Sequence, residues 1–153
     1  MRSTDMVAAV RYHAPPMARY RALLAPCLLL CTSLVQDPVP TSFTQLAGFD
    51  YTEGMTLPDE VTRLDEKKVT VQGFMKREIP GVGPVNQFLL INDACGCNGT
   101  PMMNEIIFCM LPDGVTMDVK PGVVKITGKL YVGEEKEDGV VIMLYQMDAD
   151  TVQ

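Results

Sequence analysis

Apolar and polar residues alternate along much of the chain after Lys67, and this period of two predicts β-strands. In the first such run, Val69, Val71 and Met75 alternate with mostly polar neighbours. The runs are separated by glycine- and proline-rich loops or by charged turns, which interrupt regular structure. Five strands are predicted in this way, over residues 67–76, 85–91, 104–111, 123–132 and 140–147, the last with a continuation to 152.

A short pattern with a central glycine occurs twice in these strands, once from Val69 to Met75 and once from Val124 to Leu130. Both copies read V-x-[V/I]-x-G-x-[M/L]. A glycine in mid-strand weakens pairing, so its repetition indicates bends or bulges such as those at barrel corners. The predicted fold is therefore mainly β, a small five-stranded OB-like Greek-key barrel with one short helix. A small β-sandwich is the alternative.

Three further segments complete the predicted fold. Residues 43–51 are expected to be extended or turn-rich and to pack over a barrel end. Residues 56–64 are expected to form the short helix, because Pro58 suits an early helical position and acidic residues follow it in the first turn. The charged residues 133–139 are expected to form a solvated hairpin turn between the last two strands.

The N-terminus has the features of an export signal. Basic residues precede an apolar run over 22–35, and the chain turns polar at Gln36. Neither this run nor any later one approaches the ~20 apolar residues that a spanning helix needs, so no membrane-spanning segment is expected. Met17 is an alternative start. The predicted organisation is a signal peptide over 1–35, a linker over 36–42 and an OB-like domain over 43–153.

Export would place the protein in the periplasm or the cell envelope. Lipid attachment at Cys27 or Cys31 is the alternative to simple cleavage, although the residues before these cysteines are not the small ones that such processing prefers. The cleavage site and the oligomeric state stay open at this point.

Charge and composition exclude several classes of function. Residues 36–153 hold 9 Lys and Arg against 18 Asp and Glu, which leaves a net charge near −9. Such a surface repels nucleic acid, whose binding depends on basic contacts to phosphate. The only histidine is His13, in the leader, so the domain has no histidine for a catalytic triad or a zinc site. The last serine is Ser42, so a serine nucleophile is not expected either.

Reactive side chains cluster in one place, a polar loop between two apolar runs. The loop carries Cys95 and Cys97, and Cys109 lies on the following run. A disulfide to Cys109 is one interpretation, since exported proteins form such bonds. A Cu(I) site that uses these three cysteines with nearby methionines is a second, because soft sulfur ligands favour Cu(I). Thiol–disulfide exchange is a third, although no basic residue flanks the loop to stabilise a thiolate.

The order of several short motifs resembles the DUF3299 family of small exported bacterial proteins and lipoproteins. Gly73-Phe74-Met75 is the clearest of these motifs, and the likeness covers residues 43–152. The others are Phe43, Gly48-Phe49, Leu57-Pro58, Phe88-Leu89-Leu90, Cys95 and Asn104-Glu105. The resemblance implies a barrel-like fold, an envelope location and, through members similar to accessory proteins of ABC transporters, an envelope transport role. This chain departs from the family at Lys76-Arg77, where a proline is usual.

We therefore predict an exported, non-catalytic accessory or ligand-binding module without a cofactor, whose partner is an envelope protein or a small ligand. The predicted working surface is the 92–104 loop. Cys95 and Cys97 would act there as thiol or disulfide groups, Met102 and Met103 as an apolar or soft-ligand patch, and Asn104 as the residue that turns the chain into the third strand. The alternative is a copper-binding or thiol-redox protein that uses Cys95, Cys97 and Cys109.

Overall fold

The structure of the protein is a computed structural model that describes residues 37–93 and 99–153. It is mainly β, which confirms the predicted fold class, and it contains six strands and two one-turn helices. The strands are β1 Val39–Pro40, β2 Lys67–Lys76, β3 Gln87–Ile91, β4 Ile106–Met110, β5 Val123–Glu137 and β6 Val140–Val152. The helices are α1 Phe43–Leu46 and α2 Asp59–Thr62, and a 3₁₀ turn spans Met103–Glu105. No helix among the described residues is long and apolar enough to cross a membrane.

The five long strands form a ring. β2 pairs antiparallel with β3 on one edge and with β5 on the other. β3 continues antiparallel to β4, β4 lies parallel to β6, and β6 returns antiparallel to β5. This connectivity is that of a small Greek-key barrel of the OB type. Closure is uneven, because β2 and β5 pair from Lys67 to Phe74 whereas β4 and β6 pair only from Phe108 to Met110.

β1 is a sixth strand that the hydrophobic pattern did not predict. Val39 and Pro40 pair in parallel with Val69 and Thr70 of β2. Two residues are too few to show a period of two, and a proline is compatible only with an edge position. The segment that the sequence suggested as a linker, 36–42, therefore contributes a strand and a helix cap, since the Ser42 hydroxyl accepts a hydrogen bond from the Gln45 N–H at 3.3 Å.

The two copies of the glycine pattern pair with each other. Val69 lies opposite Gly128, and Gly73 lies opposite Val124. A Cβ at Gly73 would lie 2.8 Å from the Ile91 carbonyl oxygen, and a Cβ at Gly128 would overlap the Asp148 carbonyl oxygen. Gly128 also lies at a shift in the β5–β6 register, as expected of a bulge. Each glycine is therefore needed where another strand comes too close for a side chain.

The segment predicted to be extended over residues 43–51 begins instead with α1. Its Phe43 and Leu46 side chains are buried in the barrel core. The Tyr145 hydroxyl, itself buried on β6, donates a hydrogen bond to the Leu46 carbonyl at 2.7 Å and so satisfies a free group at the end of the helix. One turn of helix is too short to show the period of 3.6 from which helices are predicted. α2 confirms the short helix predicted within 56–64.

The charged tip between the last two strands is shorter than predicted. β5 extends to Glu137 and β6 begins at Val140, so only Asp138 and Gly139 form the turn. Both residues have positive φ, 50° and 81°, as a tight Asp-Gly hairpin turn requires. The predicted turn 133–139 is therefore mostly strand, and the β5–β6 hairpin is longer than the pattern of apolar residues indicates.

Candidate ligand-binding groove

The outer face of β3 and β4 is apolar, although the inner face of the same strands already lies in the core. Phe88 and Leu90 on β3 and Ile107 on β4 are fully buried inside the barrel. Leu89 and Phe108 lie opposite each other and point outward, where both are partly exposed. Antiparallel strands usually have one core face and one polar face. This pair has two apolar faces, and the described residues cover the outer one only in part.

The outer face of β2 and β5 shows the usual arrangement. Phe74 and Val123 form an apolar pair at one end of this face. Its other outward residues are polar or charged, and they include Lys68, Thr70, Gln72, Lys125, Thr127 and Lys129. The Thr70 and Thr127 hydroxyls lie 2.8 Å apart in a cross-strand hydrogen bond, and Lys68 forms an ion pair with Asp150 at 2.7 Å. The contrast between the two faces singles out β3 and β4 as the surface that lacks a polar covering.

A groove of about 370 Å³ lies on this apolar surface, and we call it the β4 groove. Its wall is formed by β3, by β4, by Met103 of the 3₁₀ turn and by the start of β6. The lining residues are Glu78, Leu89, Met103, Ile106, Phe108, Glu137, Ile142 and Met143. Most of these side chains are apolar, and two methionines let the wall adapt to differently shaped ligands.

The two carboxylates stand at the rim of the β4 groove. Glu78 accepts a hydrogen bond from the Gln87 side chain at 2.6 Å, which fixes it beside the start of β3. Glu137 is exposed at the end of β5. A ligand in the groove would therefore meet an apolar wall and a negatively charged margin.

The start of β6 forms the side of the groove, and one edge of it is unpaired among the described residues. Val140, Val141 and Met143 pair with Glu137, Lys136 and Glu135 of β5. On the other side, the pairing of β6 with β4 begins only at Gln146. Within the described part of the chain, the outer edge of 140–143 has no backbone partner. Val140 and Ile142 on this edge are 63% and 44% exposed.

Two hydrogen bonds hold the 3₁₀ turn that brings Met103 into the groove. The Glu105 carboxylate accepts a hydrogen bond from the Met102 N–H at 2.9 Å. The Asn104 amide, which is buried, donates to the Phe49 carbonyl at 2.8 Å and ties the turn to the loop after α1. Met103 therefore lines the groove from a fixed support rather than from a free loop.

The base of the β5–β6 hairpin is held to the 51–54 loop by Glu134. Its carboxylate accepts hydrogen bonds from the Tyr51 hydroxyl at 2.8 Å and from the Gly54 N–H at 2.5 Å. Lys136 adds ion pairs to Glu53 at 3.0 Å and to Glu134 at 3.2 Å. Burial and the Glu134 carboxylate raise the pKa of Tyr51 to about 12. These contacts fix the direction in which the hairpin leaves the barrel.

The predicted site residues divide into three groups. Met103 lines the β4 groove, and Met102 beside it is 56% exposed. Asn104 is 3% exposed and bonds to the backbone, so its amide is not available to a ligand. Cys95 and Cys97 lie outside the described residues.

Cys109 lies on the inner face of β4 and is fully buried. Its thiol is free, and its Sγ lies 3.8 Å from the Ile107 carbonyl oxygen. Burial raises the pKa of the Cys109 thiol, so the thiolate that binds metals or attacks disulfides is disfavoured. In the described ranges, no group of three or more His, Cys, Asp or Glu side chains could hold a metal ion.

We expect Cys109 to resist alkylation in the native protein and to react only after unfolding, because its thiol is buried and protonated. Iodoacetamide treatment of the full chain with and without urea, followed by peptide mass spectrometry, measures this directly. Met102→Cys supplies an exposed thiol in the same experiment, and it should react under both conditions. Labelling of Cys109 in the folded protein, or a disulfide that contains Cys109, would contradict the described packing.

Sequence reasoning missed Leu89, Phe108 and Ile142 as site residues. The signal that marks them is the presence of two continuous apolar runs, in which no polar residues alternate with the apolar ones. These runs are Phe88–Ile91 and Ile106–Leu111. Such runs are typical of strands buried on both faces. In this barrel the described residues leave part of the outer face of these strands exposed, and that combination indicates a binding surface.

A larger groove lies beside β1, on the polar face. It measures about 650 Å³ and is lined by polar residues that include Thr70, Gln72, Lys125 and Thr127. The Thr70 and Thr127 hydroxyls already bond to each other, and Phe43 at its floor is buried in the core. Its lining is divided almost evenly between polar and apolar surface, whereas that of the β4 groove is mostly apolar, so we regard the β4 groove as the candidate site despite its smaller size.

Comparison with known proteins gives a family but no activity. A family model described as a protein of unknown function, DUF3299, matches residues 33–153. No curated protein matches the chain. The crystal structure of a DUF3299 family protein from Pseudomonas aeruginosa PAO1 is similar, with a TM-score of 0.54 and 22% identity, over 76% of this chain and 95% of the other. At that identity the likeness supports the fold alone.

Proposed function

This chain belongs to the DUF3299 family, and we propose that it is an exported, non-catalytic binding module of the cell envelope that takes its ligand in the β4 groove. The observation that carries the proposal is the apolar outer face of β3 and β4, on strands whose inner face already fills the core. The envelope location is supported by the leader-like N-terminus and by the resemblance described above.

The shape and chemistry of the groove favour binding of an apolar group. Water next to Leu89, Phe108 and Ile142 is released when a ligand covers them, which is favourable by about 25 cal/mol for each Å² buried. Ligand sites are concave and mostly apolar, with a few polar groups that orient the ligand. Glu78 and Glu137 are the charged groups of this kind among the lining residues.

The lining residues also favour binding over catalysis. None of them is a cysteine, histidine, lysine or serine, so the described wall contains no side chain of the usual nucleophilic or general-base types except the two rim carboxylates. We therefore propose recognition without a chemical step.

The copper and thiol-redox alternative depends on Cys95, Cys97 and Cys109 together. Cys109 would have to lose its proton in an apolar interior, which burial opposes. The position of Cys109 therefore gives this alternative no support, and the apolar groove favours the binding module.

A test of the groove uses a neutral apolar probe and two matched variants of the full chain. Ile142→Gln removes an apolar side chain from the groove, and Val123→Gln removes an exposed apolar side chain on β5 that does not line it. We expect Ile142→Gln to weaken binding of Nile red by about five-fold, or about 1 kcal/mol, because part of the apolar contact is lost. Nile red fluorescence measures the affinity.

The control Val123→Gln should leave the affinity for Nile red unchanged, since Val123 is even more exposed than Ile142 but lies outside the groove. Equal losses in both variants would mean that the dye binds exposed apolar residues in general. No binding by the parent chain, or full binding by Ile142→Gln, would overturn the assignment of the groove as the ligand site.

A further inference from the structure

We propose that the β4 groove binds an extended segment of a partner protein by adding a strand to the free edge of β6, and that this segment alternates aliphatic residues with lysine or arginine. This inference rests on the proposed function of the groove and specifies its ligand. It follows from three properties of the same region: a strand edge without a partner among the described residues, an apolar wall beside it and a negatively charged margin.

The first property is the edge. The outer edge of 140–143 has no backbone partner in the described part of the chain, whereas the opposite edge pairs with β5. An edge strand presents N–H and C=O groups that can pair with another chain. Proteins usually protect such edges with charged residues or prolines, but this edge carries Val140 and Ile142, both exposed.

The second property is the relation of the edge to the groove. Ile142 and Met143 belong both to the unpaired segment and to the groove wall, and Ile106 and Phe108 of β4 form the rest of that wall. β4 and β6 pair only from Phe108 and Gln146 onward, so the groove lies beside the unpaired stretch. In an added strand, successive side chains point to opposite faces. Every second residue would then contact the apolar wall.

The third property is charge. Glu135, Glu137 and Asp138 near the end of the hairpin are exposed, and Glu78 stands on the opposite rim of the groove. Of the cations nearby, Lys136 is already engaged by Glu53 and Glu134, and Lys76 lies opposite Leu89 but does not line the groove. A basic segment is attracted to such a margin, and an acidic one is repelled.

The same charges argue against a second copy of this chain as the occupant. Pairing of β6 with β6 of another copy would bring two acidic hairpins together, and like charges close to each other are destabilising. The net charge near −9 over residues 36–153 adds repulsion between copies. A partner of opposite charge meets no such penalty.

The test uses a seven-residue peptide of alternating lysine and valine with blocked ends, added to the full chain and measured by calorimetry. Two related peptides separate the contributions. One replaces lysine with glutamate, and the other keeps lysine and valine but carries N-methyl groups on alternate backbone nitrogens, which removes strand hydrogen bonds. We expect the lysine–valine peptide to bind at least about ten-fold more tightly than either. Only this peptide can both attract the acidic margin and form backbone hydrogen bonds with the edge of β6.

Two charge variants of the protein give a second readout. Replacing Glu135 and Glu137 by lysine should weaken binding of the lysine–valine peptide by about ten-fold and improve binding of the glutamate peptide. The matched control changes two exposed acids of α2, Asp59→Lys and Glu60→Lys, which alters the net charge equally at residues that do not line the groove. This control should retain most of the affinity.

The outcomes distinguish this inference from the proposed function. Equal binding of the lysine–valine peptide and its N-methylated form would overturn strand addition, and equal binding of the lysine and glutamate peptides would overturn the choice of a basic partner. Either result, together with Nile red binding that depends on Ile142, would leave the groove as a site for a different apolar ligand. If Nile red binding does not depend on Ile142, the assignment of the β4 groove as the ligand site is wrong, and the proposed function fails with it. Self-association that the peptide does not reverse would identify a second copy as the occupant and overturn the inference.

Discussion

Replacing Gly128 by alanine should destabilise the protein by about 3 kcal/mol or more, because the new Cβ would clash with the backbone of β6. It would overlap the Asp148 carbonyl oxygen and lie 2.9 Å from the Ala149 Cα, both of which are backbone atoms of the neighbouring strand. The end of a side chain can rotate away from such a clash. A backbone that is hydrogen-bonded within a sheet cannot, so the whole strand would have to move. Urea unfolding of the full chain measures the change in the free energy of unfolding.

Gly133→Ala is the matched control, since Gly133 lies on the same strand with nothing within 4 Å of its added Cβ. The control should be neutral or slightly stabilising, because alanine restricts the unfolded chain more than glycine does. A loss below about 1 kcal/mol for Gly128→Ala would show that β5 and β6 do not approach as closely at this point as described.

The second large effect is expected at Asn104, which sequence reasoning assigned to the binding surface. Its amide is 3% exposed and donates a hydrogen bond to the Phe49 carbonyl at 2.8 Å. Asn104→Ala removes this partner and leaves a carbonyl unpaired near the core, so we expect a loss of about 2 kcal/mol in the free energy of unfolding. Asn86→Ala, at an exposed asparagine before β3, is the control and should stay within about 0.5 kcal/mol of the parent.

The same variant separates a structural role from a binding role. If Asn104 only supports the 3₁₀ turn, folded Asn104→Ala protein should bind Nile red with an affinity similar to that of the parent chain. Unchanged stability together with lost binding would instead support the role that the sequence suggested, and it would contradict the buried position of this amide.

The β-strands and their positions along the chain were predictable because the alternation of apolar and polar residues that indicates a strand is a local pattern. Residues 67–76 alternate so regularly that β2 agrees with the prediction. The glycine pattern predicted bends or bulges, and the structure adds their physical cause, which is the close approach of a neighbouring strand at Gly73 and Gly128. α1 was not predictable, because four residues show neither a period nor a helix-forming composition strong enough to stand out.

The site was less predictable than the fold, because inward and outward apolar residues look alike in a continuous apolar run. Leu89 and Leu90 are neighbours of the same type, yet Leu90 is in the core and Leu89 lines the groove. Cysteines and methionines were predicted site residues because their sulfur atoms can bind Cu(I), but alternation along β4 places Cys109 on the core face with Ile107. The unpaired edge of β6 depends on where β4 and β6 separate, which is a property of tertiary pairing and has no local signal.

The most direct test of the β4 groove is an NMR titration of the isotope-labelled full chain with octyl glucoside below its micelle concentration. The neutral octyl chain probes apolar surface without a contribution from charge. We predict that the largest chemical-shift changes fall on Leu89, Ile106, Phe108 and Ile142, which line the groove. Changes centred instead on Thr70, Lys125 and Thr127, in the groove beside β1, would contradict the account.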